Sequence, residues 1–173
     1  MLPNNHAHTA NYWIETLQLE QHIEGGAYRR TYEATLQLPQ TILPASFNGD
    51  RPVATAIYFL LQANQFSAMH RIASDELWHF YYGEALEIFE IKKDGKLHIH
   101  LLGNNPANGE QFQAIVQAGS WFGSKVKTGG NYALVGCTVS PGFHFNDFEL
   151  ANQQDLIKQF PQHKEIITQL THF

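Results

Sequence analysis

The sequence predicts an all-β domain, built as a sandwich or barrel, with a short helix near each end. Two observations support this class. Short apolar and β-branched segments follow one another from Pro52 onward, and turns rich in glycine and asparagine separate them. The length of 173 residues fits a single domain, and no internal repeat or domain boundary is visible.

The N-terminal third contains one predicted helix, one strand and a loop. Apolar residues recur at helical spacing over residues 9–19, and Thr9 or Asn11 can cap the first turn. Two consecutive glycines then break the helical pattern, and the alternation after them predicts a strand. Residues 37–50 hold two prolines and an Asn-Gly pair, so we expect a loop there.

The rest of the chain reads as consecutive strands and a closing helix. Asp94 and Gly95 form a strong two-residue hairpin signal between two of the strands. Residues 155–173 carry apolar positions at helical spacing, and Pro161 should kink or divide this helix. The predicted strands are ATAIYFLL, SAMHRI, ELWHFYY, ALEIFEIK, KLHIHLL, QFQAIVQAG, WFGSKV and NYALVGCTVS.

Composition argues against several classes of partner. The net charge is −5 and no basic cluster exceeds a pair, so nucleic acid and anionic membranes are not expected partners. No apolar run approaches the ~20 residues of a membrane span, and no signal-peptide pattern is visible. Cys137 is the single cysteine, which excludes an internal disulfide. We therefore expect a cytoplasmic protein in which Cys137 is an inert buried thiol.

Residues 66–83 carry a spacing typical of the first motif of a cupin barrel. His70 takes the place of the first histidine, and Glu76 and Gly83 keep the motif's spacing of six intervening residues. Ile72 stands where the motif has its second histidine. In the stretch VQAGSWFGSKV, which resembles the middle of the second motif, Phe122 stands where the last histidine ligand belongs.

Longer matches make the resemblance specific. The chain resembles the type-five cupin-like group, a cupin subfamily catalogued as a domain of unknown function, over about residues 10–152. This resemblance implies a double-stranded β-helix, the cupin jelly-roll barrel, and a homodimer. It also implies a likeness in fold to dTDP-4-dehydrorhamnose epimerases. It implies no particular substrate, because none is established for this subfamily. The matching strings are HIEGGAYRRTY, TAIYFLL, FSAMHRIASDELWHFYYGEALEI, AGSWFG and LVGCTVSPGFHFNDFEL.

The predicted site is a pocket inside this barrel. The cupin motif places the His70 face of its strand toward the interior, and alternation puts Glu76, Trp78 and Phe80 on one face of the next strand. One imidazole, one carboxylate and several aromatic rings would then surround a small-molecule ligand.

Three chemistries remain open for this pocket. His70 could act as a general base, with Glu76 orienting it or acting as the acid, in epimerase- or isomerase-type chemistry on a carbohydrate-like substrate. The pocket could instead bind or sense a ligand without catalysis, with both groups structural. A metal-dependent enzyme is the third reading. We expect no metal cofactor, because Ile72 and Phe122 cannot coordinate one, although His79 could contribute if the register shifted.

Further residues are candidates for substrate binding. Arg29 or Arg30 could hold an anionic group at the barrel opening; adjacent residues on a strand face opposite ways, so at most one points inward, and a surface pair is the alternative. Tyr58, Trp121 and Phe122 are also candidates to contact the ligand, with core packing as the alternative for the last two.

A second HxH pair and the sheet edges complete the expectations. His98 and His100 alternate with apolar residues, so we expect both imidazoles to face solvent or a partner subunit. The homodimer would also cover open sheet edges, which are otherwise prone to unwanted pairing.

Overall fold

The computed structural model describes residues 8–172, which contain mainly β-strands. The strands are β1 Glu20–Gln21, β2 Ala27–Glu33, β3 Gln37–Leu38, β4 Arg51–Pro52, β5 Thr55–Gln62, β6 Phe66–Arg71, β7 Asp75–Gly83, β8 Leu86–Ile91, β9 Leu97–Leu102, β10 Gln113–Val116, β11 Trp121–Val126, β12 Tyr132–Ser140 and β13 Glu149–Leu150. The α-helices are α1 Ala10–Thr16, α2 Gln153–Gln159 and α3 Lys164–Gln169.

The strands form two main antiparallel sheets. One has six strands in the order β1-β2-β5-β12-β7-β10, and the other has five in the order β13-β6-β11-β8-β9. Side chains from both sheets meet in one apolar cluster that includes Phe59, Trp78, Phe122 and Val135. Burying each such side chain contributes roughly 1.5–3 kcal/mol, so the space between the sheets is the main core. The predicted all-β class is confirmed.

The two terminal helical regions cover the outer faces of the sheets. Leu156, Phe160 and Ile167 of the C-terminal helices pack on Met69 and other outward residues of the five-stranded sheet. Strand β6 is therefore buried on both faces. This explains why its sequence does not show a polar, solvent-facing alternation.

The N-terminal helix packs on the six-stranded sheet. Thr9 caps it by accepting a hydrogen bond from the Tyr12 N–H at 3.2 Å, as the sequence predicts. Trp13 and Ile14 contact a cluster that contains Leu60 and Leu134 of the sheet's outer face. The C-terminal helix also follows the prediction, because a 3-10 turn at Pro161–His163 divides it into α2 and α3.

Residues 37–50 contain more structure than the predicted loop. Strand β3 pairs with β4, and a 3-10 turn follows at Gln40–Ile42. Arg51 of β4 is 2% exposed and forms a two-point ion pair with Asp147, with Nε–Oδ2 at 2.6 Å and Nη2–Oδ1 at 2.5 Å. This pair attaches the segment to the turn that follows β12.

Among the described residues, no helix is long and apolar enough to cross a membrane.

Candidate acid–base site inside the barrel

A small cavity of about 50 Å³ opens between the two sheets at one end of the barrel. Its lining combines ionisable groups with apolar walls. Its opening, called the mouth below, lies beside the two exposed lining residues, Arg30 and Phe145. The other lining residues are His22, Glu24, Tyr28, Thr55, Ile57, His70, Ile72, Glu76, Cys137, Val139 and Phe143.

His70 lies on β6 and is 3% exposed. Its Nδ1 is 2.7 Å from the carbonyl oxygen of Ala68, and a carbonyl can only accept, so Nδ1 carries the hydrogen and donates it. Its Nε2 is 3.2 Å from Oε2 of Glu24. Burial lowers the pKa of His70, and the nearby Glu76 opposes that shift. Both ring nitrogens are therefore engaged within the protein.

Glu24 belongs to the turn between β1 and β2. Gly25 has φ +110°, and a Cβ at this position would overlap the carbonyl oxygen of Phe66, so glycine allows the turn to lie against β6. The Ala68 N–H then donates to the Glu24 carbonyl at 2.7 Å. Ser67 Oγ donates to Oε1 of the Glu24 side chain at 3.0 Å. Burial is the main cause that raises the pKa of Glu24.

Glu76 lies on β7 and is 7% exposed. Burial raises its pKa from 4.5 to about 7, the His70 ring opposes the rise, and the Cys137 thiol hydrogen-bonds to it. Cys137 is itself buried, and burial raises its pKa well above the ordinary range. The thiol therefore stays protonated and donates toward Glu76, an electrostatic role that the sequence analysis did not assign to it.

His22 adds a second imidazole that the sequence analysis did not include. The Glu24 N–H donates to His22 Nδ1 at 3.3 Å, so a neutral ring carries its hydrogen on Nε2. Burial lowers the pKa of His22, which favours that neutral form. The sequence feature that could have indicated Glu24 and His22 is the glycine pair that follows them, because two glycines allow the backbone to approach a neighbouring strand closely.

The two arginines lie on opposite sides of the sheet. Arg30 lines the mouth and forms an ion pair with Glu33 at 2.5 Å, with 46% and 49% of the two side chains exposed. The Arg29 guanidinium carbon is 5.8 Å from the centre of the Tyr58 ring. Tyr58 packs against the outer cluster beside α1 and does not line the cavity.

The predicted aromatic residues are not brought together at the cavity. Trp78, Phe80 and Phe122 pack in the main core, with the rings of Trp78 and Phe122 6.4 Å apart, and none of them lines the cavity. Trp121 points the other way, into the cluster beneath the C-terminal helices, where Arg71 lies over its ring at 4.6 Å. Alternation along β11 places Trp121 and Phe122 on opposite faces.

The residues present do not fit the metal site that the cupin motif implies. Ile72 and Phe122 are buried apolar side chains at two motif positions, and both nitrogens of His70 already have partners. Within residues 8–172, no group of three His, Cys, Asp or Glu side chains is placed to hold an ion. His79 contacts Thr138 and Gln113 and does not line the cavity.

The second HxH pair lies apart from this site. His98 is exposed, as expected, but the prediction for His100 was wrong, because its Nε2 is 2.9 Å from Oε2 of the fully buried Glu90. Burial would raise the pKa of Glu90, but hydrogen bonds from His100, the Gln117 N–H and Ser120 lower it. A buried carboxylate on the neighbouring strand therefore turns His100 inward.

Comparisons with solved structures agree with this architecture. A protein from Shewanella oneidensis is 39% identical, with a TM-score of 0.84, and the match covers 95% of this chain and 98% of that one. A hypothetical protein from Leishmania major is 34% identical, with a TM-score of 0.89 and coverage of 96% and 100%. A search of curated proteins finds no match.

More distant matches carry information on the fold alone. A cupin 2 domain-containing protein from Halorhodospira halophila has a TM-score of 0.55 at 8% identity, covering 89% of this chain and 88% of that one. A family model described as "Cupin superfamily (DUF985)" matches residues 11–151. The chain therefore belongs to this cupin family, and its two facing sheets form a jelly-roll β fold.

Proposed function

We propose that the barrel binds a small polar molecule and carries out metal-independent acid–base chemistry of the epimerase or isomerase type. The observation that carries this proposal is Glu76, a buried carboxyl group that lines the cavity with a pKa raised to about 7. A general acid–base group works best when its pKa is close to the operating pH, because both protonation states are then available.

Glu76 fits the proton-transfer role better than His70 does. The two nitrogens of His70 are occupied by Ala68 and Glu24, whereas the Glu76 carboxyl group is hydrogen-bonded, within residues 8–172, to the weak Cys137 thiol alone. In the proposed step, the Glu76 carboxylate removes the proton from a carbon next to a carbonyl group. The C–H electron pair forms a C=C bond and the carbonyl becomes an enolate. Return of the proton to the other face of the same carbon gives the epimer. Its return to the former carbonyl carbon gives the isomer, when the hydroxyl proton on the reacting carbon moves to the enolate oxygen and a new carbonyl forms there.

His70 and Glu24 would support this step as a buried proton-sharing couple. Their contact at 3.2 Å keeps the imidazole fixed beside Glu76, and a proton that moves onto the ring would stabilise the ionised Glu76 carboxylate. A substrate of carbohydrate type would place only its reacting end in the cavity, because a volume of about 50 Å³ is well below the ~300 Å³ of a typical ligand pocket.

One observation favours a second candidate function, a non-catalytic barrel that binds or senses a ligand. His70 is 3% exposed and both of its ring nitrogens are hydrogen-bonded, as expected for a structural polar group. Such a barrel would show ligand-dependent thermal stabilisation without any change in the ligand.

Solvent deuterium exchange separates these two functions. The protein is incubated in D₂O with hydroxyacetone, dihydroxyacetone, glyceraldehyde and fructose, and NMR follows deuterium entry beside the carbonyl group. Catalysis predicts exchange above the buffer rate that is lost in Glu76→Gln and kept in Glu165→Gln, a control on the exposed side of α3. Exchange that is equal in wild type and Glu76→Gln, or absent with every probe, would contradict the catalytic proposal.

We also propose that the protein is a cytoplasmic homodimer. Strands β9 and β10 end the two sheets and expose Ile99 at 50% and Ile115 at 53%, so a second copy could cover these edges. Sedimentation velocity that gave only monomer at micromolar concentration would contradict the dimer.

A further inference from the structure

We infer that the molecule held in the cavity is uncharged at the end that enters it, and that this end is a carbonyl or polyol fragment of about three carbons. The inference rests on the proposed function and specifies its substrate class. It replaces the expectation that an arginine anchors an anionic group. Three properties of the cavity support it: its charges, its hydrogen-bond donors and its size.

The charges of the lining disfavour an anion. Glu24 and Glu76 are both buried at the cavity, and among its described lining residues Arg30 is the single arginine and no lysine occurs. Arg30 lies at the mouth and is already paired with Glu33. A carboxylate or phosphate inside would therefore be desolvated beside two carboxyl groups without a cation to compensate, which is costly.

The lining also disfavours a cation. Burial raises the pKa of both Glu24 and Glu76 and lowers the pKa of both His22 and His70. The uncharged forms of all four groups are thus favoured together. An ammonium group would need at least one of the carboxyl groups to ionise in this buried position, whereas a neutral ligand needs neither to do so.

The available hydrogen bonds match an oxygen-bearing neutral ligand. His22 Nδ1 accepts from the Glu24 N–H, which leaves Nε2–H as a donor on a cavity-lining ring. Thr55 Oγ1 accepts from the Phe143 N–H at 2.9 Å, which leaves its hydroxyl hydrogen to donate. These donors, with the protonated form of Glu76, suit the lone pairs of carbonyl and hydroxyl oxygens.

The volume sets the size of the fragment. A water molecule needs about 10–15 Å³ of such space, so a cavity of about 50 Å³ accepts three to five groups of that size. Three carbons with one or two of their oxygens fill it and further oxygens reach the mouth, while Ile57, Ile72 and Val139 form apolar walls around the carbon atoms.

The test compares three compounds of matched size and different charge. At pH 6, below the pKa of about 7 at Glu76, dihydroxyacetone is neutral, glycerate is an anion and serinol (2-amino-1,3-propanediol) is a cation. Ligand-observed NMR titrations give their dissociation constants for wild type, Glu76→Gln and the exposed control Glu165→Gln. We expect dihydroxyacetone to bind about tenfold tighter than either charged compound, a difference of about 1.4 kcal/mol. The ratio of the dissociation constants of glycerate and dihydroxyacetone should fall in Glu76→Gln, and it should stay unchanged in Glu165→Gln.

A second variant locates the binding without changing charge. Ile57→Phe adds volume to a wall of the cavity and should weaken all bound compounds. If glycerate or serinol binds tighter than dihydroxyacetone and Ile57→Phe abolishes that binding, the inference of an uncharged ligand is overturned, and the cavity is still the binding site. Binding that is unaffected by Ile57→Phe, or no binding by any of the three, would overturn the inference. The deuterium-exchange experiment tests the proposed function separately.

Discussion

Replacing Asp147 by asparagine should destabilise the fold by about 3–5 kcal/mol, because Arg51 would keep a buried charge without its counterion. The two side chains are 2% and 4% exposed, so water cannot replace the lost carboxylate. Two other Arg51 hydrogen bonds go to the carbonyl oxygens of Asp50 at 2.7 Å and Asn48 at 3.1 Å, and neither carbonyl supplies a negative charge. An asparagine offers one oxygen where the carboxylate offered two.

Thermal unfolding followed by circular dichroism measures this loss. For a chain of this size, 3–5 kcal/mol corresponds to a fall in Tm of about 6–20 °C. Lys158→Met is the control, since its ion pair with Asp155 at 3.2 Å is 75% and 74% exposed. An exposed pair of this kind contributes at most about 1 kcal/mol, so the control should stay close to wild type.

The double variant Arg51→Met/Asp147→Leu tests the reasoning most directly. Removing both charges leaves no unpaired buried ion, so the double variant should recover most of the stability that Asp147→Asn loses. A loss below about 1 kcal/mol in Asp147→Asn would refute the assigned cost of a buried unpaired charge. A double variant that is less stable than Asp147→Asn would refute the coupling between the two residues.

Three other outcomes can be measured independently. The pKa of Glu76 is about 7 in the folded state and 4.5 ordinarily, so ionisation of Glu76 lowers the free energy of unfolding as the pH rises between these two values. The free energy of unfolding of Glu76→Gln should therefore rise relative to wild type by up to about 3 kcal/mol between pH 4.5 and pH 8. Urea unfolding that gives the same difference at every pH would contradict this. Gly83→Ala should lower the free energy of unfolding by about 1–3 kcal/mol, because φ is +95° and the added Cβ would overlap the carbonyl oxygen of Tyr132. A Tm equal to that of wild type would argue against this strain. Elemental analysis of untagged protein should find no stoichiometric transition metal, and a metal that disappears in His70→Ala would reverse the expectation.

The fold was predictable because its signals are local. Strand alternation, the Asp94–Gly95 signal and Pro161 each specify a nearby element, and each element appears where the sequence places it. The hairpin differs in length, because the Lys92 N–H donates to the Lys96 carbonyl at 2.9 Å and leaves three loop residues instead of two. The exceptions involve distant partners. His100 turns inward because its imidazole contacts Glu90, which lies diagonally from it on the adjacent strand β8. Strand β4 pairs with β3, and its Arg51 forms an ion pair with Asp147, which lies far away in the sequence.

The candidate site was less predictable for the same physical reason. The motif identified His70 and Glu76, which lie close together in sequence and both line the cavity. Glu24, His22 and Cys137 reach it from a turn and from a strand at the other end of the chain, and no spacing rule connects them. Trp121 and Phe122 are adjacent on β11 and therefore face opposite ways, and the C-terminal helices cover the outer face on which Trp121 lies.

The arrangement of β5 between β2 and β12 has a consequence for folding and for fragments of this protein. The pairing brings early and late segments of the chain together, with Thr55 opposite both Glu33 and Val139. Topologies dominated by such non-local pairs have high contact order and fold slowly, because a long loop must close before the contacts form.

The cavity therefore has no local precursor. A fragment ending before β12 lacks Cys137 and Val139, and one beginning after β2 lacks Glu24 and its turn. A ligand that binds between the sheets would therefore bind only to molecules in which both β2 and β12 have paired with β5. During refolding, ligand binding should accordingly appear with the slowest cooperative phase, after the helices and local hairpins have formed.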